Sequence, residues 1–468
     1  MEFGQFISAH EGEDPARLAL ARGRLAAQVE DFDLALTTLE VRRKLRDKVP
    51  EWYAVPGLRY PFRVSGEQCS STVTARYKAS VAQVALDGAT PYAKMAENVE
   101  PVAQAGHPLR VSGRFRVTPG SSRLADLTGG LGVDSWAFAQ VFGEVLYNEM
   151  RPELAEAAAH NFAELGLNNI TVRNSTLTAG DSLGPEGPRN DKGMTVSQIL
   201  GDFHPDVIFL DPARRASDGR KVFRLEDCQP DVLQLLPELL ATCPHVLLKL
   251  SPMADITLVC KQLGCVKAVH VVAAEGECKE LLLVLEKGWI GPHTLTIVED
   301  GAVMEIPGDM GGIPQSSLRD PSHPYGWAPP SYVAEGGHGL GNATHISETY
   351  LFEPGKALLK AGAFDLPCRY GLTKLGQHTH LYTGSEVPEV LKPFGKCYRI
   401  LEVLPLDKRS FRLIGQKYPQ ANVTARNIPL TSDQLRAKLS VRDGGPVHIF
   451  GLYADALHSN LLLISERC

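Results

Sequence analysis

The run Asp126-Leu127-Thr128-Gly129-Gly130-Leu131-Gly132-Val133-Asp134 decides how this chain is read. It overlaps the short stretch Arg123–Leu127, which reads as a strand, and it leads into a helical window. Glycines at 130 and 132 let the backbone turn tightly and approach a ligand closely, and the helix start beyond them offers unpaired N–H groups. A tight turn needs glycine for structural reasons alone, so a second feature has to support the loop. Glu149 is that feature. It stands at the end of the next expected strand, 17 residues beyond Gly132, where a carboxylate can accept both hydroxyls of a ribose. Loop and acid together point to an adenosine-containing cofactor bound by Asp126, Thr128, Gly130, Gly132 and Glu149.

Two cofactors use that geometry. A dinucleotide loop wants a third glycine three residues after the second, but Ser135 and the bulky Trp136 occupy that place. Asp126 at the strand tip suits a cofactor that carries an ammonium group and no pyrophosphate. S-adenosylmethionine is therefore the expected cofactor, with a nicotinamide dinucleotide as the alternative.

Further strands are expected at Glu144–Glu149, Ile170–Arg173, Asp206–Leu210, His245–Leu250, Val266–Val272 and Glu280–Leu285. The first five, counting Arg123–Leu127, are separated by helix-length segments, as in βαβ units with a parallel sheet. The last two are separated only by Ala273–Lys279, with Gly276 in the middle, and should form an antiparallel hairpin. The expected fold is α/β, a Rossmann-like seven-stranded sheet with an antiparallel last strand.

The fourth strand runs into Asp211-Pro212-Ala213-Arg214-Arg215. In an open α/β sheet the carboxyl edge is where ligands bind. Asp211 and the Pro212 carbonyl could hold an amine or hydroxyl in line with a sulfonium methyl, and positioning then supplies most of the rate. Arg214 and Arg215 could clamp a phosphate or carboxylate; a strand-ending turn with solvated arginines is the plainer reading. The fifth strand ends Lys249-Leu250-Ser251-Pro252-Met253. With no cysteine there, covalent attack on a pyrimidine is not expected. Lys249 reads either as a neutral base or as a lysine snorkelling to water.

Composition bounds the rest. The chain has 468 residues and a net charge of −6, with 44% hydrophobic and 22% charged residues, which is ordinary for a folded protein of about three domains. Its richest apolar stretch, His245–Cys260, is broken by Lys249, Pro252 and Asp255, so no membrane span is expected. The N-terminus shows no basic region followed by an apolar one, and the expectation is a cytoplasmic protein. Nine scattered cysteines include no Cys-x-x-Cys pair, which suggests neither a disulfide framework nor a metal site. His378 and His380 alternate on an expected strand, but without a third ligand in register no metal is expected.

Residues 1 to about 80 read as helix, notably Ala16–Glu30 and Asp33–Lys48; the run Arg42-Arg43-Lys44-Leu45-Arg46 reads as a solvated helix end. In Gln68-Cys69-Ser70-Ser71, Ser70 or Ser71 caps the helix running to Ala79; a cap that also closes over the cofactor is the second reading. The expected divisions are a helical region over 1–120 with an insertion near 81–120, a cofactor domain over 121–288, a linker and small module over 289–395, and a last module over 396–468. Within Gly395–Asp443 ten basic residues face only four acids, a local +6 with aromatic residues interleaved. Such a window is either a solvated face or a contact for a nucleic-acid backbone.

These stretches resemble a known group. The glycine run, Asp211-Pro212-Ala213-Arg214-Arg215, Lys249-Leu250-Ser251-Pro252-Met253 and Gly276-Glu277-Cys278-Lys279-Glu280-Leu281 are similar to class I S-adenosylmethionine-dependent methyltransferases of the bacterial group with a C-terminal THUMP-like domain. Glu67–Ser71 with Thr74–Ala79 resembles that group's segment upstream of the glycine loop. Tyr350–Phe364 resembles its ferredoxin-like module, and Ala421–Pro429 with Leu435–Leu439 its last module. The resemblance implies Asp126, Gly130 and Gly132 near the methionine part of the cofactor, Glu149 on the ribose, and Asp211 and Pro212 lining the target pocket. It implies an RNA substrate, tRNA included, gripped by Arg426, Arg436 and Lys438. A methyltransferase acting on a protein or small molecule, and a non-catalytic RNA-binding protein, are the alternatives. The chain departs from the pattern at three places. Asn174-Ser175 replaces the acid expected at the adenine amine; Ala213 and Arg214 replace a second proline and an aromatic ring; and residues 81–120 are an insertion.

Overall fold

In the computed structural model, residues 1–87, 122–179, 193–214, 224–306 and 349–468 are described. The chain divides into two units, Met1–Val272 with Lys279–Thr296, and Ala273–Cys278 with Ile297–Cys468.

Seven strands organise the first unit: β1 Arg123–Asp126, β2 Glu144–Glu149, β3 Ile170–Asn174, β4 Val207–Leu210, β5 His245–Leu250, β6 Val266–Ala274 and β7 Glu277–Glu286. Within a nine-stranded sheet that also takes in Thr294–Glu299 and Ala302–Ile306, these seven follow in the order β3-β2-β1-β4-β5-β7-β6. The first five run parallel. β7 lies antiparallel between β5 and β6, with Val246 opposite Leu285. All four residues of β4, Val-Ile-Phe-Leu, are buried, as a strand covered on both faces requires. The order reverses between β1 and β4, which opens a crevice at their carboxyl ends. This is the expected sheet, antiparallel strand included.

Upstream, α1 (Phe32–Lys48) is capped by the Asp31 carboxylate, which accepts from the Leu34 N–H at 2.9 Å. The expected Ala16–Glu30 helix is broken into Pro15–Leu20, Arg22–Leu25 and a 3-10 turn, because Leu18, Leu25 and Val29 all pack into one core with Phe6 and Phe32. The basic run is also only half as expected. Arg43, Lys44 and Arg46 are exposed, but Arg42 is buried and donates to Glu11 and to the Tyr53 and Val55 carbonyls at 2.7–3.0 Å. It lies three residues from both Leu39 and Leu45 on the apolar face, so the helical period carries it inward. α2 (Thr72–Asp87) begins after Ser71, whose hydroxyl accepts from the Thr74 N–H at 3.2 Å. The rest of the expected insertion, from residue 88, falls outside the described residues. α3 (Val133–Phe138) and α4 (Pro152–Glu164) follow β1 and β2.

The second unit is built on one sheet in the order Thr373–Lys374, Tyr382–Gly384, Tyr350–Pro354, Gly395–Pro405, Ser459–Arg467, Val447–Ala454 and Asn422–Arg426. Only the last pair is parallel. Helices α5 (Lys408–Lys417) and α6 (Ser432–Leu439) bury Ile414, Leu435 and Leu439 against Val423, Ile449, Leu462 and Ile464 on one face. Alternate residues, among them Leu351, Tyr398, Phe450 and Leu463, form a second core on the other. His378 and His380 are not on a strand, contrary to expectation. They sit in a turn pinned by Thr379, whose hydroxyl donates to the Tyr453 carbonyl at 2.8 Å. His380 adopts φ +50° and packs on the Phe364 ring, centroids 4.2 Å apart.

Candidate active site

The glycine run lies at the crevice, and its glycines are needed for different reasons. Gly130 and Gly132 have φ +54° and +91°, in the left-handed region that side chains resist. A Cβ at Gly132 would come within 2.7 Å of the Phe162 ring, and one at Gly129 within 2.1 Å of the Tyr147 ring. At Gly130 the nearest atom would be 3.9 Å away, so the backbone there faces open space, as a cradle for a ligand must. Gly132 then caps α3, which points its first N–H groups toward the loop.

Glu149 is tied to this loop. Its carboxylate accepts from the Gly130 N–H and, at the other oxygen, from the Arg151 N–H, both at 2.9 Å. Each carboxylate oxygen keeps a further lone pair, which two ribose hydroxyls could use. Asn174 is in register beside Glu149 and donates to the Glu149 carbonyl at 2.7 Å. That bond occupies its amide nitrogen and leaves its oxygen as an acceptor for an adenine amine. Asn148, missed in the sequence, donates to the Leu127 and Ser175 carbonyls, and its own amide oxygen is buried without a partner.

Asp126 is buried at the tip of β1 and accepts from the Ser135 hydroxyl at 2.6 Å and the Thr128 N–H at 3.1 Å. Burial lifts its carboxyl to about 7; those two bonds oppose the rise, and the charges of Asp134 and Asp211 add to it. Thr128 bridges two strand ends, since its hydroxyl accepts from the Asp211 N–H at 2.6 Å. Asp211 in turn pairs with the ammonium of Lys249 at the end of β5. Burial works against the charge of Lys249, but Asp211, Glu280 and Asp134 outweigh it and hold the ammonium above the ordinary lysine value. Lys249 is thus neither a neutral base nor a lysine reaching for water. Pro212 is buried, and Ala213–Arg214 leave the sheet to form a short ladder with Cys228–Gln229. Arg215 falls outside the described residues.

The segment upstream of the glycine loop closes onto it. While Ser71 caps α2, the Ser70 hydroxyl donates to Asp134 at 2.8 Å, so this serine pair both caps the helix and touches the end of the glycine run. Two turns further along, the fully buried Lys78 donates to both oxygens of Glu280 at 2.9 Å and lies 3.3 Å from Asp134. Tyr77 meets the ring of His270 at 2.7 Å, and burial pushes that imidazole down to about 4. Cys69 is not poised as a thiolate, because burial pushes its thiol up. Sequence reasoning noted the motifs at 67–79 and 276–281 without pairing them. The available signal was a lysine on the same helical face as Ala75 and Ala82, both buried.

Two of the three C-terminal cations expected to contact RNA are already engaged. Arg426 pairs with Glu353 at 2.7 Å, and Arg436 with Asp433 and Asp443 at 3.0 and 3.2 Å. Lys438 is exposed. The charge count over Gly395–Asp443 missed Glu353 and Glu466, the partners of Arg426 and Arg399, because both lie outside that window.

The fold and site together define a class I methyltransferase architecture: seven consecutive strands of the sheet, one of them antiparallel, with a glycine loop at the switch in strand order. Residues 350–390 match the family model of a ferredoxin-like domain, and residues 395–464 match that of a THUMP domain-like family. Over its full length the chain shares its fold with a Porphyromonas gingivalis W83 protein whose crystal structure is described as a "putative methyltransferase" (TM-score 0.70, 25% identity, 100% of this chain and 97% of that one). The resemblance seen in the motifs is thereby borne out: a methyltransferase fold followed by ferredoxin-like and THUMP-like domains. Two weaker likenesses are an rRNA methylase of Streptococcus thermophilus (TM-score 0.26, 13% identity, 40% and 99% covered) and a T. thermophilus 16S rRNA methyltransferase solved with AdoMet and guanosine (0.25, 16%, 37% and 40%). Likeness at that level says nothing of substrate. No curated protein matches the sequence. Among the described residues, no helix is long and apolar enough to cross a membrane, and no three His, Cys, Asp or Glu side chains form a metal-ligand group.

Proposed function

We propose that this chain is a cytoplasmic S-adenosylmethionine-dependent methyltransferase that acts on RNA. The observation that carries the cofactor reading is the charge of the crevice. Among the described residues, Asp126, Asp134, Asp211 and Glu280 gather with Lys78 and Lys249 as the cations between them. An acidic, partly desolvated crevice suits a ligand bearing an ammonium and a sulfonium better than it suits a pyrophosphate. The residues fit such a group: an open cradle at Gly130, acceptors at Glu149 and Asn174, and a buried Asn148 amide oxygen without a hydrogen-bond partner.

When bound, that cofactor supplies an already activated methyl group. The protein then has to orient two partners and exclude water. Asp126, Gly130 and Gly132 would hold the amino-acid end, Glu149 the ribose and Asn174 the adenine amine. Asp211 and the Pro212 carbonyl would accept hydrogen bonds from the target amine or hydroxyl, and Arg214 and Arg215 would contact a phosphate. RNA is favoured by the THUMP-like domain over residues 395–464 and by basic residues that keep their charge exposed. On α5, Lys408, Arg409 and Arg412 are exposed and have no carboxylate partner among the described residues, as are Lys438 and Arg442 beyond it. They replace Arg426 and Arg436 as the expected backbone contacts.

The test is transfer of a labelled methyl group from S-adenosylmethionine to total RNA from a strain lacking the gene, with Asp211→Ala alongside. Label that enters RNA, disappears on nuclease treatment and is lost in the variant is the expected result. Label in a nuclease-resistant fraction would move the substrate to protein or small molecule. Cofactor binding with no transfer to any fraction would leave a binding protein.

A further inference from the structure

We propose that Lys249 is a positioning residue: its buried ammonium fixes the Asp211 carboxylate so that one oxygen faces the crevice to receive the methyl acceptor. The inference rests on the methyltransferase reading above and assigns a role to a residue that reading leaves unused.

The geometry comes from the sheet. β4 and β5 are adjacent and parallel, with Leu210 in register with Leu248, so the next residues, Asp211 and Lys249, leave the two strands side by side. Asp211 is held at two points. Its N–H donates to the Thr128 hydroxyl at 2.6 Å, and its Oδ2 accepts from Lys249 Nζ. Among the described residues Oδ1 is left as the acceptor, on a side chain that remains about one-third exposed, while the lysine is mostly buried at 14%. A carboxylate with a free χ2 could present either oxygen in a broad range of directions. Pinning one oxygen removes that freedom before the acceptor arrives, which is where an enzyme gains most from rigid groups.

Other assignments of this lysine fit less well. As a base it would have to give up its proton, yet three carboxylates hold that proton in place. As a mere filler for buried negative charge it would duplicate Lys78, which already satisfies both oxygens of Glu280 and approaches Asp134. Asp211 is the carboxylate left to Lys249. As the carbon–sulfur bond breaks with its electron pair on sulfur and the bond from carbon to the acceptor nitrogen or oxygen forms, the acceptor's displaced proton passes to water.

Three variants test this: Lys249→Met, Lys249→Arg and the double variant Lys249→Met/Asp211→Asn. In Lys249→Met the turnover number should fall about 100-fold, as for loss of a group that organises the transition state. S-adenosylmethionine affinity, read by calorimetry without any acceptor, should stay within about threefold. Lys249→Arg should recover at least about a tenth of wild-type turnover, because charge and reach are kept. A readout free of catalysis is thermal unfolding: Lys249→Met lowers the midpoint by stranding Asp211, and adding Asp211→Asn restores it, the signature of a coupled pair. If Lys249→Met transfers methyl groups like wild type, or loses cofactor affinity as steeply as turnover, the proposal is overturned. Failure of the double variant to regain stability overturns it as well, and this holds even if the single variant folds poorly. Wild-type protein that labels no fraction at all would overturn the methyltransferase reading itself, which is a different result from a wild type that labels RNA and a variant that equals it.

Discussion

Positive charge is handled in opposite ways at the crevice of the first unit and on the helical face of the second. At the crevice both lysines are buried, and each faces named carboxylates: Lys78 meets Glu280 and Asp134, and Lys249 meets Asp211. On α5, α6 and the turn after it, Lys408, Arg409, Arg412, Lys438 and Arg442 are exposed and make no ion pair among the described residues, while Lys417, Arg426 and Arg436 are withdrawn into ion pairs. Buried charges cannot be left alone, because desolvation costs several kcal/mol per ion and removal of one partner leaves the other uncompensated. Exposed charges cost little and contribute little to folding. Positive charge in the first place builds a site; in the second it is available to a partner.

The sharpest way to break that contrast is Lys78→Met. It strands Glu280 and Asp134 and should cost about 3–5 kcal/mol of stability in denaturant unfolding. Replacing Glu280 with Gln in the same chain should recover part of the loss. A cost below about 1 kcal/mol would mean that the buried network behaves like a surface pair.

Next in size is the pH dependence set by Asp126. Its carboxyl is near 7 in the folded chain against an ordinary 3.8, and burial is the main cause. Below about pH 4 it is protonated in both folded and unfolded states and carries no penalty. Between there and about pH 7 the folded state binds more protons, so stability falls as pH rises, by at most about 4 kcal/mol from this group, and is level above. A cationic ligand beside Asp126 offsets the penalty. The rise in melting temperature on adding S-adenosylmethionine should therefore be larger at about pH 8 than at about pH 5.5, and Asp126→Asn should flatten the difference. Equal rises at both pH values would remove Asp126 from the cofactor's charged end.

The smallest effect on folding belongs to the exposed face. Lys408, Arg409 and Arg412 changed together to Gln should leave unfolding within about 0.5 kcal/mol, since none is paired. The same triple change should lower the slope of log affinity for RNA against log salt by about 2 to 3. Arg426→Gln should do the reverse, lowering stability with little change in slope. Should Arg426 carry the salt dependence instead, the division between structural and available cations would be drawn in the wrong place.

Much of this protein is set by short-range pattern. The glycine loop at 130 and 132 needs left-handed backbone, and only glycine takes it up freely. The seven strands and the hairpin at Gly276 follow from apolar runs and the lengths between them. The approach of Glu149 to Gly130 was also legible, because two adjacent parallel strands bring their ends together. What the sequence could not show was which charges meet. Lys78 and Glu280 are 202 residues apart, Lys249 and Asp211 38, and Arg426 and Glu353 73. Periodicity places a side chain on a face but does not name its partner across the fold. A charge's meaning depends on that partner and on its access to water, so the sequence left Lys249 as a neutral base or a lysine reaching for water, and the resemblance put Arg426 on RNA. Tertiary packing made both of them members of ion pairs.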